Sequence, residues 1–403
     1  MVSAPSRWRW VIGAAGLCAV YLVVRSIADL HTAFGGGSAV DYLAIASAGR
    51  VVHGGSSCVY CASSLGTAQA QLLGYTPASS ATFPVPFVNP ALMAWLIQPL
   101  AVLPLQTGTD AFVAMNVVAM ALSAAILTRR AAPRLGGPLA ASLVIIAVFS
   151  LEAGTGILLG QSDGLMLLSA TLAIEALDRR HQALAGVLLV PLLLKPQLVW
   201  LVPPVLIVAR QWRMLAALAA GAVLVLLGSV AVAGPSRLLD AFGLVTAPSY
   251  AHLDLQSNSI PALIARPLGS NPAAWAVALA LAIGAVAAMI LMRDLLRRNA
   301  VPAVAIGIGL SIVLSPHLGD YSLMLLAIPV AVLAPRAPAL ALLLAAAYTA
   351  VSLFNPLVSL NESSVALVLL AGLIAVVWQA THPGSSGLAL RLPRPSAAGV
   401  SSA

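Results

Sequence analysis

The chain has 403 residues, of which 61% are hydrophobic and 8% charged, with a formal net charge of +8. A soluble domain carries about 25% charged residues, so a water-soluble fold lacks the polar surface needed to clothe this much apolar side chain. The basic residues sit in small groups between apolar runs, not in one patch, which argues against a nucleic-acid partner despite the positive charge.

The first apolar run, about 10–28, follows Arg7 and Arg9. It is long for a signal peptide, no A-x-A site closely follows it, and more apolar runs come later, so it reads as a retained first helix. Later stretches of about 15–20 residues without a charge are enough to cross a ~30 Å hydrocarbon core. Helices satisfy their own backbone polar groups there, and the alternation of an outer-membrane barrel is absent. The expected class is an all-α integral membrane protein.

The arginine groups thread the chain, since cytoplasmic loops collect Lys and Arg. After helix one comes a polar, Gly/Ser-rich outer segment, 29–108, whose short apolar piece at 90–103 ends at Pro104 and reads as interfacial. Helix two, about 110–128, returns to Arg129, Arg130 and Arg134. Helices three (about 137–151) and four (about 162–177) flank an outer turn from Glu152 to Gln161. Residues 182–209 cross twice, turning at Lys195-Pro196, and return to Arg210 and Arg213. Helix seven (about 214–233) precedes a second large outer loop, 234–271, and helix eight (about 273–292) leads to Arg293, Arg297 and Arg298. Helix nine (about 301–314), an outer turn from Ser315 to Asp320 and helix ten follow, then helices at about 338–354 and 365–380. The expectation is about 12 transmembrane helices in one unit, 1–380, with both termini cytoplasmic and a disordered Pro/Ser-rich tail, 381–403.

This threading puts fifteen of the twenty basic residues on the inner side. Arg25, Arg50, Lys195, Arg237 and Arg266 remain outside, together with most acidic residues. Four separated stretches bring ionisable groups to the outer surface, where burial is costly. Asp41-Tyr42 starts a short amphipathic segment; the alternatives for Asp41 are a helix cap and a general base. Gln161 and Asp163 stand at the start of helix four, where Ser162 or Asp163 is expected to cap it. Lys195 is the only lysine of the chain; it either snorkels to the interface or holds a phosphate. His317, Asp320 and Tyr321 form the last stretch, where His317 is either a turn residue or part of the site, and the second outer loop adds His252, Asn258 and Arg266. The set suits a phosphate-bearing, hydroxyl-rich substrate.

Cys18 lies in helix one, and Cys58 with Cys61 forms a C-x-x-C in the first outer loop. The pair has three readings: a local disulfide, which an oxidising compartment favours, free thiols, or a metal site for which His53 is the one nearby further ligand.

With these motifs in order, the chain resembles glycosyltransferase family 87 of the GT-C superfamily. The matching pieces are Asp41-Tyr42-x-Ala44 with Gly49, Phe83-Pro84-Val85-Pro86-Phe87 with Asn89-Pro90, and Pro99-Leu100 with Leu103-Pro104. Gly160-Gln161, Ala185-Gly186, Lys195-Pro196 before Arg210-x-Trp212-Arg213, Asn258-Ser259 and Ser315-Pro316-His317 follow, so the likeness runs over about 38–330. Two departures stand out: many members have Tyr-Pro-Pro near Phe83, and Asn is frequent where Asp163 stands. The resemblance implies a GT-C fold with interfacial helices in the first outer loop. It also implies an inverting transfer of a sugar, usually mannose, from polyprenyl phosphate to a hydroxyl of a lipid-linked or cell-envelope glycan. Asp41 would be the base, Lys195, His317 and Arg266 would hold the donor phosphate, and Tyr42, Gln161, Asp163, His252, Asn258, Asp320 and Tyr321 would contact sugar or acceptor. The donor is already activated, so no cofactor is expected, and no tight carboxylate pair points to a metal, which leaves metal dependence open. The expected location is a bacterial plasma membrane with the site facing outward; the oligomeric state is open. The rivals are the same fold with arabinofuranose or glucose, a polyprenyl-linked sugar flippase, and a scaffold.

Overall fold

The structure, a computed structural model, describes residues 6–34, 39–74, 85–246, 259–265, 271–315 and 318–333. Every regular element among them is helical. In chain order these are α1 (Ser6–Phe34), α2 (Val40–His53), α3 (Ala62–Leu73), α4 (Ala91–Leu96), α5 (Gln98–Ala101) and α6 (Leu105–Leu135). Then come α7 (Gly137–Val148), α8 (Leu151–Leu159), α9 (Asp163–Asp178), α10 (Gln182–Leu188), α11 (Val202–Val208) and α12 (Trp212–Ala233). The last are α13 (Pro235–Thr246), α14 (Ile260–Ala265), α15 (Asn271–Leu291), α16 (Arg293–Arg298), α17 (Ala300–Val313) and α18 (Ala327–Leu333). Short 3-10 turns fill Val190–Leu194, Pro196–Leu198 and Asp320–Leu326.

Among the described residues four helices are long and apolar enough to cross a membrane: Ile12–Phe34 within α1, Leu105–Pro133 within α6, Trp212–Ala233 and Pro272–Leu291. The pair α7–α8 supplies a fifth if its 45° bend lies within one span. Shorter apolar helices occupy 182–194, 196–208, 300–313 and 321–332. The helices expected at 338–354 and 365–380, and the tail, lie outside the described residues.

One expectation needs correcting. The outer turn from Glu152 to Gln161 is in fact mostly α8. After α7 breaks at Phe149, the Ser150 hydroxyl accepts the Ala153 amide and restarts the helix. The turn proper is confined to Gly160-Gln161-Ser162. The break at Lys195 is as the sequence suggests: a residue before proline is driven out of the α region, and Lys195 adopts φ −132°, ψ 78° between two 3-10 turns.

Two cores result. The larger unites α1, α6–α12 and α15–α18, with Leu127, Leu167, Ile174, Leu189, Leu198, Val205 and Ile308 almost fully buried. The smaller is built by the short helices of the first loop, around Tyr42, Ile45, Val59, Tyr60, Leu65, Phe87, Met93, Ile97 and Phe112. Tyr60 stacks on Phe87 at 5.8 Å and donates to the Asn89 carbonyl at 3.0 Å, tying α2–α3 to the start of α4. The smaller core packs α2 against the short helices α3, α4 and α5.

Candidate functional site

Two contacts decide where α2 presents Asp41. The Tyr42 hydroxyl donates to the Leu100 carbonyl at 3.3 Å, and the Arg50 guanidinium donates to the carbonyls of Ala101 at 2.9 Å and Leu103 at 3.2 Å. Between them, Gly49 faces α5 so closely that a Cβ there would stand 2.7 Å from the Ala101 Cβ. Opposite, α8 closes at Gly160, whose φ of +70° is the left-handed region that glycine adopts without cost. A Cβ on Gly160 would also fall 2.7 Å from the Tyr42 Cβ. The Gly160-Gln161 turn therefore lies directly against the start of α2.

The polar chain that results crosses four parts of the fold. The Gln161 amide NH2 donates to Asp41 Oδ2. Lys195 Nζ donates to Gln161 Oε1 at 2.5 Å and to Asp163 Oδ2 at 2.6 Å. Asp163 Oδ1 in turn accepts the Ser322 hydroxyl at 2.6 Å. The Tyr321 ring lies 4.7 Å from the same ammonium, within cation–π range. Asp163 is fully buried and Lys195 is 6% exposed, so this is an ion pair in an enclosed place, not a surface contact.

Asp41 differs from both. It is half-buried, and among the described residues its Oδ1 accepts no hydrogen bond. Burial pushes its carboxyl above the ordinary range, opposed by the Gln161 hydrogen bond and the Lys195 charge, while Asp163 adds to the rise. Asp41, Asp163 and Lys195 together carry one net negative charge. A half-exposed carboxylate with an open oxygen and a raised proton affinity can accept a proton from a substrate hydroxyl.

Several sequence expectations change here. Asp41 is not a cap: the N-cap of α2 is Ala39, and no side chain caps it. Neither does Ser162 cap α9; its buried hydroxyl has no partner among the described residues. Lys195 does not snorkel. Tyr42, expected at the sugar, is 1% exposed and spends its hydroxyl on Leu100, while burial pushes its phenol to about 12. Asp163, expected at the sugar too, is occupied by Lys195 and Ser322. Tyr321 is in the cluster, beneath Lys195. Asp320 opens the last 3-10 turn, but its side chain is outside the described set, as are His252, Asn258, Arg266 and His317. Cys58 and Cys61 are joined as a disulfide, 5.3 Å apart at Cα, in the turn between α2 and α3. Among the described residues no group of three His, Cys, Asp or Glu side chains could hold a metal ion.

Sequence reasoning missed Ser322 and the anchoring role of Arg50. Ser322 gives no signal of its own, because one serine after a Tyr is ordinary. Arg50 was detectable as a basic residue on the acidic side of the molecule, but its partners are backbone carbonyls that no pattern reveals.

A helical, membrane-type fold with a buried chain of polar contacts that ends on a half-exposed carboxylate defines the class. Within it, the chain belongs to glycosyltransferase family 87: the model of that family matches residues 87–316, more than half of the chain. The matched part contains Gln161, Asp163 and Lys195, whereas Asp41 and Ser322 fall outside it. No curated protein and no solved structure matches the chain.

Proposed function

We propose that this glycosyltransferase is an inverting enzyme that moves a sugar, most simply mannose, from polyprenyl phosphate to a hydroxyl of a lipid-linked or cell-envelope glycan. The observation that carries the reading is the Asp41 carboxylate at the start of α2: half-buried, held at one oxygen by Gln161 and open at the other. In the reaction, the acceptor hydroxyl gives its proton to Asp41 as its oxygen bonds to the anomeric carbon. The bond from that carbon to the phosphate oxygen breaks, and polyprenyl phosphate leaves with the electron pair. A single displacement from the face opposite the leaving group inverts the anomeric configuration. The departing phosphate needs positive charge; Arg266, His317 and Lys195 are the candidates to supply it. The lipid tail would lie against the apolar helices.

The proposed setting is a bacterial plasma membrane, with twelve spans, both termini cytoplasmic and Asp41 on the outer side. The separation of arginines from carboxylates along the sequence supports this sidedness.

The test uses membranes containing the full chain and labelled polyprenyl-phosphate-mannose, with the corresponding arabinofuranose and glucose donors in parallel. Asp41→Asn is expected to lower transfer by about 100- to 10,000-fold while the protein still accumulates and inserts. Full activity in Asp41→Asn would remove the base assignment, and transfer from a different donor alone would replace the mannose. A cysteine introduced at Leu255 should react with an impermeant thiol reagent from outside; reaction only from inside would overturn the sidedness.

A further inference from the structure

We propose that Lys195 and Gln161 are positioning residues for Asp41: Lys195, anchored by Asp163, orients the Gln161 amide so that its NH2 group holds the carboxylate of the base. This rests on the reading of Asp41 as the base.

Hydrogen-bond polarity fixes the order of the three side chains. A lysine ammonium only donates, and an ionised carboxylate only accepts. Two such groups can be bridged in line only by a side chain that accepts at one end and donates at the other. Gln161 does this, with Oε1 facing Lys195 at 2.5 Å and the NH2 group facing Asp41. The amide therefore has one workable orientation, and Lys195 imposes it. Lys195 in turn cannot wander, because Asp163 takes it at 2.6 Å and is itself held by Ser322 at 2.6 Å. The Tyr321 ring covers the ammonium from a further side.

The same geometry argues against Lys195 as the main phosphate ligand. An arriving phosphate oxygen would have to share the ammonium with the Asp163 carboxylate, a like charge that is fully buried and has no solvent to retreat into. Gln161 likewise has both ends of its amide in use, which leaves little for a sugar hydroxyl. What the chain of contacts does accomplish is to occupy Asp41 Oδ2, so that Oδ1 is the oxygen left to take a proton. It also places a positive charge behind Gln161 that favours the ionised base.

The test compares Gln161→Leu, Lys195→Met and the double variant, using the full chain in membranes with labelled polyprenyl-phosphate-mannose as the donor probe. Each single variant is expected to lower kcat by about 10- to 100-fold, the size of a lost hydrogen bond to a charged group. The donor KM should stay within about twofold, because ground-state binding is untouched. The double variant should be no worse than the poorer single, since both break one chain. The acid limb of the rate profile should move to higher pH in each. A donor KM raised with kcat preserved would make Lys195 a phosphate ligand or Gln161 a sugar ligand and overturn the proposal. Effects that multiply in the double variant would overturn it as well. Gln161→Leu leaves the Lys195–Asp163 pair in place, so it carries the test alone should Lys195→Met not accumulate. Asp41→Asn, run alongside, separates the two levels. If it remains active, the base reading fails; if it is inactive and Lys195→Met alters only the donor KM, the positioning role alone fails.

Discussion

The two ends of α9 hold similar charges in opposite circumstances. At its start, Asp163 pairs with Lys195, and both are almost completely buried. At the other end of this 16-residue helix, about 22 Å away, Asp178 pairs with Arg130 and Glu175 lies 3.5 Å from Arg129. One partner of each pair is open to solvent, Asp178 at 41% and Arg129 at 72%, while Arg130 and Glu175 are half-buried. The distal pairs join α6 to α9. The proximal pair continues through Gln161 to Asp41 and through Ser322 to the last 3-10 turn. Charge pairing on its own therefore says little about function. What separates the two ends is enclosure, which makes each contact depend on the next.

Breaking the enclosed end should have the larger consequence. Asp163→Ala leaves the Lys195 ammonium buried without its counter-ion, a change that costs about 3–5 kcal/mol of stability. Thermal unfolding of the detergent-solubilised protein measures it, and adding Lys195→Met should restore most of the loss because no uncompensated charge then remains. If Asp163→Ala unfolds like the parent, water reaches the pair and the contrast between the two ends disappears.

The next effect lies in the pH profile. Asp41 lies outside the membrane-spanning helices, and its carboxyl is raised by burial, so the base is ionised only above the ordinary carboxylate range. kcat/KM should fall on acidification through an apparent pKa higher than that of a free aspartate. Lys195→Met, which removes a lowering influence, should lift it further. Stability has the opposite sign. A pKa raised on folding favours the native state below the unfolded value, and that contribution is lost as pH rises through the folded one. An acid limb at or below the value of a free aspartate would show that Asp41 is solvated.

The smallest effect belongs to the exposed end. Arg129→Gln is expected to change stability by about 0–1 kcal/mol, fading further with added salt. Melting curves at low and high ionic strength check this, and a loss approaching that of Asp163→Ala would make the exposed pairs as important as the enclosed one.

Much of the site was legible because charge is scarce here. With 8% charged residues, a lone lysine between leucines, or an aspartate opening an amphipathic stretch, stands out without any structure. The short apolar piece at 90–103, which the structure divides into α4 and α5, and the break at Lys195 were legible too, from proline positions. Tyr42 misled for the opposite reason. Its neighbour Asp41 faces the site, but one residue further along a helix turns the side chain by about 100°, here into the smaller core. The turn expected at Glu152 misled because a serine cap after a break restarts a helix, and Ser150 shows no distinguishing pattern.

The sequence by itself determined that the chain is helical and membrane-embedded, that it belongs among these glycosyltransferases, and which residues are costly enough to matter. These follow from composition, local spacing and the order of motifs. Only the tertiary structure decided how those residues pair. Asp41 and Gln161 are 120 positions apart, Gln161 and Lys195 are 34 apart, and Asp163 and Ser322 are 159 apart. No local rule links such distances. The pairing depends on where Gly49 and Gly160 let backbones approach, and on burial deep enough that donors and acceptors must find one another instead of water.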